Sequence, residues 1–152
     1  MSAPSDQDLS RREEISISSA AMSGAPWGGA AVTGGVVAAA DLGLHVIGGT
    51  VGVAALSGSV AFGAAVFLVV AAGGALLRTK AGRAARWARN NPWRFAVLPA
   101  VAAAAIALVL TVITGGGMFH GVLSGLWHGG AVFGVTGAIG AVGKSRKPDL
   151  SG

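Results

Sequence analysis

Four ionisable residues lie inside long uncharged stretches of this chain and are its first candidates for chemistry. Asp41 and His45 are four residues apart, so on a helix they share one face. His120 and His128 lie two helical turns apart in a later stretch. Carboxylate and imidazole groups together can relay protons or line a polar pore. The alternative is that these side chains bond to nearby polar groups or reach interfacial water, which requires no ion pathway.

Long stretches without charged residues indicate the helices that hold these four side chains. Charged residues make up 11% of the chain, less than half of the roughly 25% typical of soluble domains. Between Ile15 and Leu77 the only charged residue is Asp41, and none lies between Phe95 and Gly143. A helix needs about 20 apolar residues to cross a bilayer, so each stretch is long enough for two spans. This distribution excludes an ordinary soluble enzyme.

The sequence therefore predicts an all-α integral membrane protein with four transmembrane helices, arranged as two helical hairpins. Glycine-rich turns at 48–50 and 115–117 separate the helices of each hairpin, since glycine clusters interrupt helices. Glycines also dilute the first span, so a two-span chain is the alternative. The four predicted spans are 27–47, 51–77, 93–114 and 118–143.

The Lys and Arg residues concentrate between the two hairpins and after the second one. The positive-inside rule places both regions, and with four spans both termini, on the cytoplasmic side of a cell inner membrane. A capping box, Ser10-x-x-Glu13, predicts a short helix in the polar N-terminal segment. The predicted organisation is a polar cytoplasmic segment 1–25, a hairpin 26–77, a basic amphipathic linker 78–92, a hairpin 93–143 and a basic tail 144–152.

The two hairpins resemble each other in sequence. The constant shift that carries Pro26-Trp27 onto Pro92-Trp93 also carries Gly63 onto Gly129 and the Ala-Val-Phe of 65–67 onto 131–133. The identities exceed those expected from Ala and Gly content alone, which predicts a tandem repeat of one unit. A unit with two spans keeps its orientation when duplicated, so we expect a pseudo-two-fold axis along the membrane normal.

A glycine stripe marks one face of the last span. Small residues at every fourth position allow close helix contact in lipid, where no hydrophobic force drives helices together. The stripe therefore predicts tight packing, either inside one chain or between copies in a homo-oligomer. Its residues are Gly117, Gly121, Gly125 and Gly129.

The linker carries an unbroken series of basic residues. The pattern around Trp87 predicts a helix with Arg on one arc and Ala on the other, ended by Asn90-Asn91-Pro92. Such a helix can lie on anionic lipid at the cytoplasmic face or contact the phosphates of DNA nonspecifically. The candidate contact residues are Arg78, Lys80, Arg83, Arg86, Arg89 and Arg94.

The sequence offers no basis for catalysis. It contains no Cys, so it has neither a thiolate nucleophile nor a Cys-type metal site. The three His residues have no spacing that fixes a ligand set. We therefore predict a protein that is not an enzyme, with no catalytic, cofactor-binding or metal site.

The chain resembles the small hydrophobic plasmid-spread (Spd) proteins of conjugative plasmids in mycelial actinobacteria. The resemblance lies in the Ala/Gly/Val-rich spans, the short polar start and the Arg-rich Ala81–Arg89 stretch. It implies a membrane partner of the plasmid transfer or spread machinery, acting beside a DNA translocase and able to form a pore. Together with the packing predicted from the glycine stripe, this gives a self-associating membrane component of such a complex. The competing functional hypotheses are a small proton or ion channel or transporter subunit that uses the intramembrane Asp and His residues, and a phage holin-like pore.

Overall fold

Six α-helices form the part of the chain that the structure, a computed structural model, describes, namely residues 10–77 and 82–145. Four of them, α2, α3, α5 and α6, are long and apolar enough to cross a membrane, as the sequence predicts. Regular structure in these two ranges is entirely helical. The helices are α1 (Arg11–Met22), α2 (Trp27–Ile47), α3 (Val53–Leu77), α4 (Arg83–Asn90), α5 (Pro92–Ile113) and α6 (Gly117–Ser145).

The observed bounds differ from the predicted spans by at most two residues. The span α2 has the predicted ends, whereas α3 begins at Val53 and α5 begins one residue early, at Pro92. Proline is favoured at the first helical position because its missing N–H would have no partner there. The helix α5 continues through Pro99, which is buried.

Both hairpin turns begin with the same hydrogen-bonded helix end. After α2, the Gly49 N–H donates to the Val46 carbonyl at 3.1 Å, and the Thr50 N–H donates to the His45 carbonyl at 2.9 Å. After α5, Gly115 donates to Val112 and Gly116 to Thr111 in the same pattern. This is the Schellman arrangement, which requires a left-handed residue. Gly49 has φ +73° and Gly115 has φ +87°, which glycine adopts without strain.

The helices α1 and α4 cover one end of the bundle, which we call the basic end; the opposite end, with the two glycine turns, is the turn end. The predicted capping box opens α1, because Ser10 Oγ accepts from the Glu13 N–H and the Glu13 carboxylate accepts from the Ser10 N–H. Trp87 of α4 and Phe95 of α5 are fully buried here. Their burial joins α1, α3, α4 and α5 in one apolar cluster.

Close glycine contacts hold each hairpin together. A Cβ added to Gly63 of α3 would lie 2.6 Å from the Ala38 Cβ of α2, so the two backbones touch. In the second hairpin, a Cβ on Gly129 of α6 would lie 2.9 Å from the Ala104 Cβ of α5. Small residues at these positions are what permits such close approach.

The two hairpins pack asymmetrically. The central helix α3 contacts both α5 and α6, whereas α2 contacts only α3 among the described helices. A pseudo-two-fold axis would exchange α2 with α5 and α3 with α6, so the contact of α3 with α5 would require an equivalent contact of α2 with α6. The helices α2 and α6 do not touch. The expected axis therefore does not relate the hairpins. One long side of α2 is left without a helix against it.

Candidate functional site

An open cavity of about 760 Å³ lies between α3, α5 and α6 at the turn end. Its size is within the range of pockets that hold small molecules. It brings together His120 and His128, two of the four ionisable residues that the sequence singles out. We call it the turn-end cavity, and its polar lining residues are Ser57, Thr111, Thr114, His120, Ser124 and His128.

Three hydroxyl groups of this cavity donate hydrogen bonds to backbone carbonyls one turn back in the chain. Thr111 Oγ1 donates to the Ala107 carbonyl at 2.8 Å, and Thr114 Oγ1 donates to the Leu110 carbonyl at 2.7 Å. Ser57 Oγ donates to the carbonyl one turn back and lies 3.4 Å from Thr114 Oγ1. A hydroxyl whose proton is engaged still has acceptor lone pairs. The polar part of the wall therefore offers mainly hydrogen-bond acceptors, and the rest of the wall is apolar.

The half-buried His128 adds an acceptor at the inner end of the cavity. Its Nδ1 lies 2.8 Å from the Ser124 carbonyl oxygen, which can only accept, so Nδ1 carries a proton. In the neutral imidazole Nε2 then has the free lone pair and can take up a proton. His128 lies about 16 Å along the helix axis from the start of α6, at 1.5 Å per residue. That depth is about half of a bilayer core roughly 30 Å thick.

A buried apolar cluster, which we call the apolar plug, lies one helical turn beyond His128. Val132 follows one turn later on α6 and is 1% exposed. It packs with Ala65 and Leu68 of α3 and with Ala103 of α5. One turn further on, Thr136 is completely buried and its hydroxyl has no hydrogen-bond partner among the described residues. The polar lining therefore ends at the plug.

Asp41 and His45 form a separate cluster between α2 and α3. Ser59 Oγ donates to Asp41 Oδ2 at 2.7 Å, and Ser59 is 1% exposed. His45 Nδ1 donates to the Asp41 carbonyl at 2.9 Å and lies 3.5 Å from the carboxylate. Ser57 lines the turn-end cavity, whereas Ser59 bonds Asp41. The two serines are two residues apart on α3, so their positions are separated by about 200° around the helix axis. The structure therefore does not bring Asp41 and His45 into the turn-end cavity with His120 and His128.

The sequence reasoning missed the hydroxyl residues of both clusters. Ser59 is the partner that holds Asp41 between two helices, and Ser57 and Thr114 meet across α3 and α5. A signal was present, because Ser57 and Ser59 are isolated polar residues in the first turns of an apolar span. Such residues mark helix contacts or cavities in lipid.

The glycine stripe of α6 faces α5. Added Cβ atoms would lie 2.9 Å from Val112 Cγ2 at Gly121 and 2.8 Å from the Ala104 carbonyl oxygen at Gly125. With Gly129, these residues occupy the contact inside the second hairpin, so they are not free for contact with another chain. Gly117 lies at the helix start with φ +73° and no close neighbour.

The basic residues around α4 do not share one environment: some interact with the acidic residues of α1, and others face the solvent. Arg94 forms an ion pair with Glu14 of α1 at 2.6 Å. The pKa of Glu13 is lowered, mainly by its hydrogen bonds from Ser10 and to a lesser degree by the charge of Arg83. Arg86 is exposed. Arg78 and Lys80 lie outside the described residues.

Arg89 lines a second cavity, at the basic end of the α3–α6 interface. Its volume is about 510 Å³, and Lys144 lies on the same wall. We call it the basic-end cavity. The apolar plug lies between it and the turn-end cavity.

Within 10–77 and 82–145, no group of three or more His, Cys, Asp or Glu side chains is arranged to hold a metal ion. Comparisons of the chain with protein-family models, with curated proteins and with solved structures find no match.

Proposed function

We propose that this chain is a non-enzymatic, multi-pass protein of a cell inner membrane, with the basic end and both termini on the cytoplasmic side. Four helices of sufficient length and apolarity support the membrane placement. The basic residues of α4 and Lys144 lie at one end of the spans, and the turns at 48–52 and 114–116 carry no charge. The positive-inside rule favours the orientation given.

The repeat of the two hairpins is part of this proposal, and equivalent contacts in the two halves support it. The rings of Trp27 and Phe67 lie 5.7 Å apart in the first hairpin. Their counterparts under the sequence shift, Trp93 and Phe133, lie 5.4 Å apart in the second. The helix-end hydrogen bonds and the glycine contacts described above also correspond under that shift. Duplication of one unit explains all three correspondences together.

We propose that the turn-end cavity is the outer half of a proton pathway, which the apolar plug closes in this conformation. The observation that carries the proposal is a row of hydroxyl and imidazole groups in an otherwise apolar cavity that reaches His128 at about mid-depth. An imidazole whose Nε2 lone pair faces the cavity can accept a proton there and pass it on. The imidazole of His128 is a proton-transfer group, so we test protons rather than metal cations. Hydrophobic constrictions that exclude water are a known way to gate a pore.

Proton flux in liposomes tests this proposal. Val132→Ser places a hydroxyl in the plug, and we expect it to raise the rate of pH equilibration several-fold over the wild type. Val135→Ser makes the same chemical change on an exposed face of α6 and is the matched control. Adding His128→Leu to Val132→Ser is expected to bring the rate back toward the wild type. Equal rates for Val132→Ser and Val135→Ser would rule out the pathway.

Self-association in a plasmid transfer or spread complex, beside a DNA translocase, is a second candidate that the family resemblance implies. One observation favours self-association, although not through α6. One side of α2 carries small residues at every fourth position, and a Cβ added at Gly35 or Gly43 would meet none of the described atoms within 4 Å. That stripe consists of Ala31, Gly35 and Ala39, which are exposed, and the half-buried Gly43.

The mass of the purified protein in detergent tests self-association. Light scattering with the detergent contribution subtracted should give an oligomer for the wild type and a monomer for Gly35→Leu. Gly29→Leu changes another open position of α2 and should leave the oligomer intact. A monomeric wild type would exclude this candidate and the holin-like pore, whereas the proton pathway through one chain would be unaffected.

A further inference from the structure

The basic-end cavity combines an apolar wall with two cationic side chains. Leu76 and Leu77 from the end of α3 and Ile139 from α6 supply the wall. Arg89 from the last turn of α4 and Lys144 from the last turn of α6 also line it. No Asp or Glu is among the described lining residues. The cavity is therefore positive at its rim and apolar toward the bundle.

The position of the cavity relative to the spans suggests what occupies it. Leu77 ends α3, and Lys144 lies one residue before the end of α6, so the cavity is at the boundary between the apolar spans and the basic end. In the membrane placement proposed above, this is the level of the cytoplasmic lipid phosphates. Basic pockets between transmembrane helices on that side can bind anionic head groups.

We propose that the basic-end cavity binds one anionic phospholipid of the cytoplasmic leaflet, through its phosphate. Arg89 and Lys144 donate charge-assisted hydrogen bonds to the phosphate oxygens, which are stronger than bonds between neutral groups. The start of an acyl chain packs on Leu76 and Ile139. A soluble anion would leave that apolar wall exposed to water, and the cavity is too small for a nucleic-acid duplex.

This site differs from adsorption of the linker on the membrane surface. Adsorption depends on the total number of basic residues, so Arg83, Arg86 and Arg89 would contribute alike. A cavity site depends on Arg89 and Lys144 and on the space between them. The inference relies on the membrane placement of the proposed function and is independent of the proton pathway.

Native mass spectrometry of the detergent-purified full chain, titrated with phosphatidylglycerol, tests the site. We expect one retained phosphatidylglycerol and no preference for phosphatidylcholine. Arg89→Gln and Lys144→Gln should each weaken retention by about fivefold or more, as expected for loss of one basic contact. Arg86→Gln, a change of an exposed arginine outside the cavity, should have no effect. Circular dichroism checks that each variant is folded.

A second test of the lipid site uses a variant that fills the cavity and leaves Arg89 and Lys144 unchanged. A Cβ on Gly143 would lie 3.8 Å from Leu77 Cδ2, an ordinary contact, so Gly143→Leu fills the cavity without distorting the backbone. We expect it to abolish retention of phosphatidylglycerol. Equal weakening by the three charge variants, or unchanged retention in Gly143→Leu, would overturn the proposal.

Inorganic phosphate distinguishes the two sources of a phosphate group. If phosphate alone competes at millimolar concentration and Gly143→Leu still binds it, the site is a free-anion site and the lipid proposal is wrong. If phosphatidylglycerol binds and Val132→Ser gives no added proton flux, the lipid site is supported and the proton pathway is refuted. Failure of the chain to insert into liposomes would refute the membrane placement and this inference with it.

Discussion

The hydrogen bond between Ser59 and Asp41 should be the main polar contact that holds α2 on the bundle. The helix α2 contacts only α3 among the described helices, and this bond crosses that interface at 2.7 Å. A hydrogen bond to a charged group contributes about 1.5–3 kcal/mol in soluble proteins. Hydrogen bonds between membrane helices average about 0.6 kcal/mol, with a maximum of about 1.7. Because Ser59 is fully buried, we expect a value near the upper end of the membrane range.

A double-mutant cycle isolates this contribution. Ser59→Ala and Asp41→Ala should each lower the free energy of unfolding by about 1–2 kcal/mol, with a coupling energy of about 1–1.7 kcal/mol. Asp41→Asn should lose less, because the amide oxygen still accepts from Ser59. Unfolding is followed by circular dichroism during titration of the detergent-solubilised protein with sodium dodecyl sulfate.

Ser57→Ala is the matched control, two residues away on the same helix. Its hydroxyl donates to its own helix and makes only a 3.4 Å contact with α5, so its loss should cost less than about 0.5 kcal/mol. A coupling energy near zero between Ser59 and Asp41 would show that their hydrogen bond does not hold α2 on α3. A loss for Ser57→Ala as large as that for Ser59→Ala would show the same.

Three further predictions follow from single contacts. Gly129→Leu should strongly destabilise the α5–α6 hairpin in the same titration, whereas Gly130→Leu, with no atom within 4 Å of its Cβ position, should change stability little. Because the pKa of folded Glu13 is lowered, its bond with Ser10 stabilises α1 above the ordinary carboxyl pKa. That contribution is lost as pH falls through the lowered value, and Glu13→Gln should remove the acid-dependent loss of helicity. Thr136→Val should leave stability unchanged or raise it by about 1 kcal/mol, because the buried hydroxyl has no hydrogen-bond partner among the described residues. A clear loss of stability would show that it has one.

The positions of the helices follow from local signals that sequence reasoning can use. Charge-free stretches set the lengths of the spans, and the glycines at 49 and 115 supply the left-handed residue that ends each first helix. The capping box at Ser10 and the stop at Asn91-Pro92 are equally local. For these reasons the predicted spans agree with the observed helices to within one or two residues at most ends.

The assignment of partners does not follow from such signals. Asp41 and His128 both look like intramembrane polar sites, yet one joins α2 to α3 and the other lines a cavity between α3, α5 and α6. Which faces meet depends on how the hairpins pack, and the repeat led us to expect a symmetric arrangement that the helices do not adopt. The glycine stripe at 121, 125 and 129 likewise predicts close packing without naming the helix it packs on.

Cysteine accessibility reports how far water enters the protein, because the chain has no Cys and every label reports one engineered position. In the proposed pathway, water reaches from the turn end as far as His128 and stops at the plug. In sealed liposomes with the turn end outside, a charged, membrane-impermeant maleimide should label Ser124→Cys rapidly and Thr136→Cys not at all. Labelling of Thr136→Cys at a comparable rate, or none at Ser124→Cys, would contradict the account.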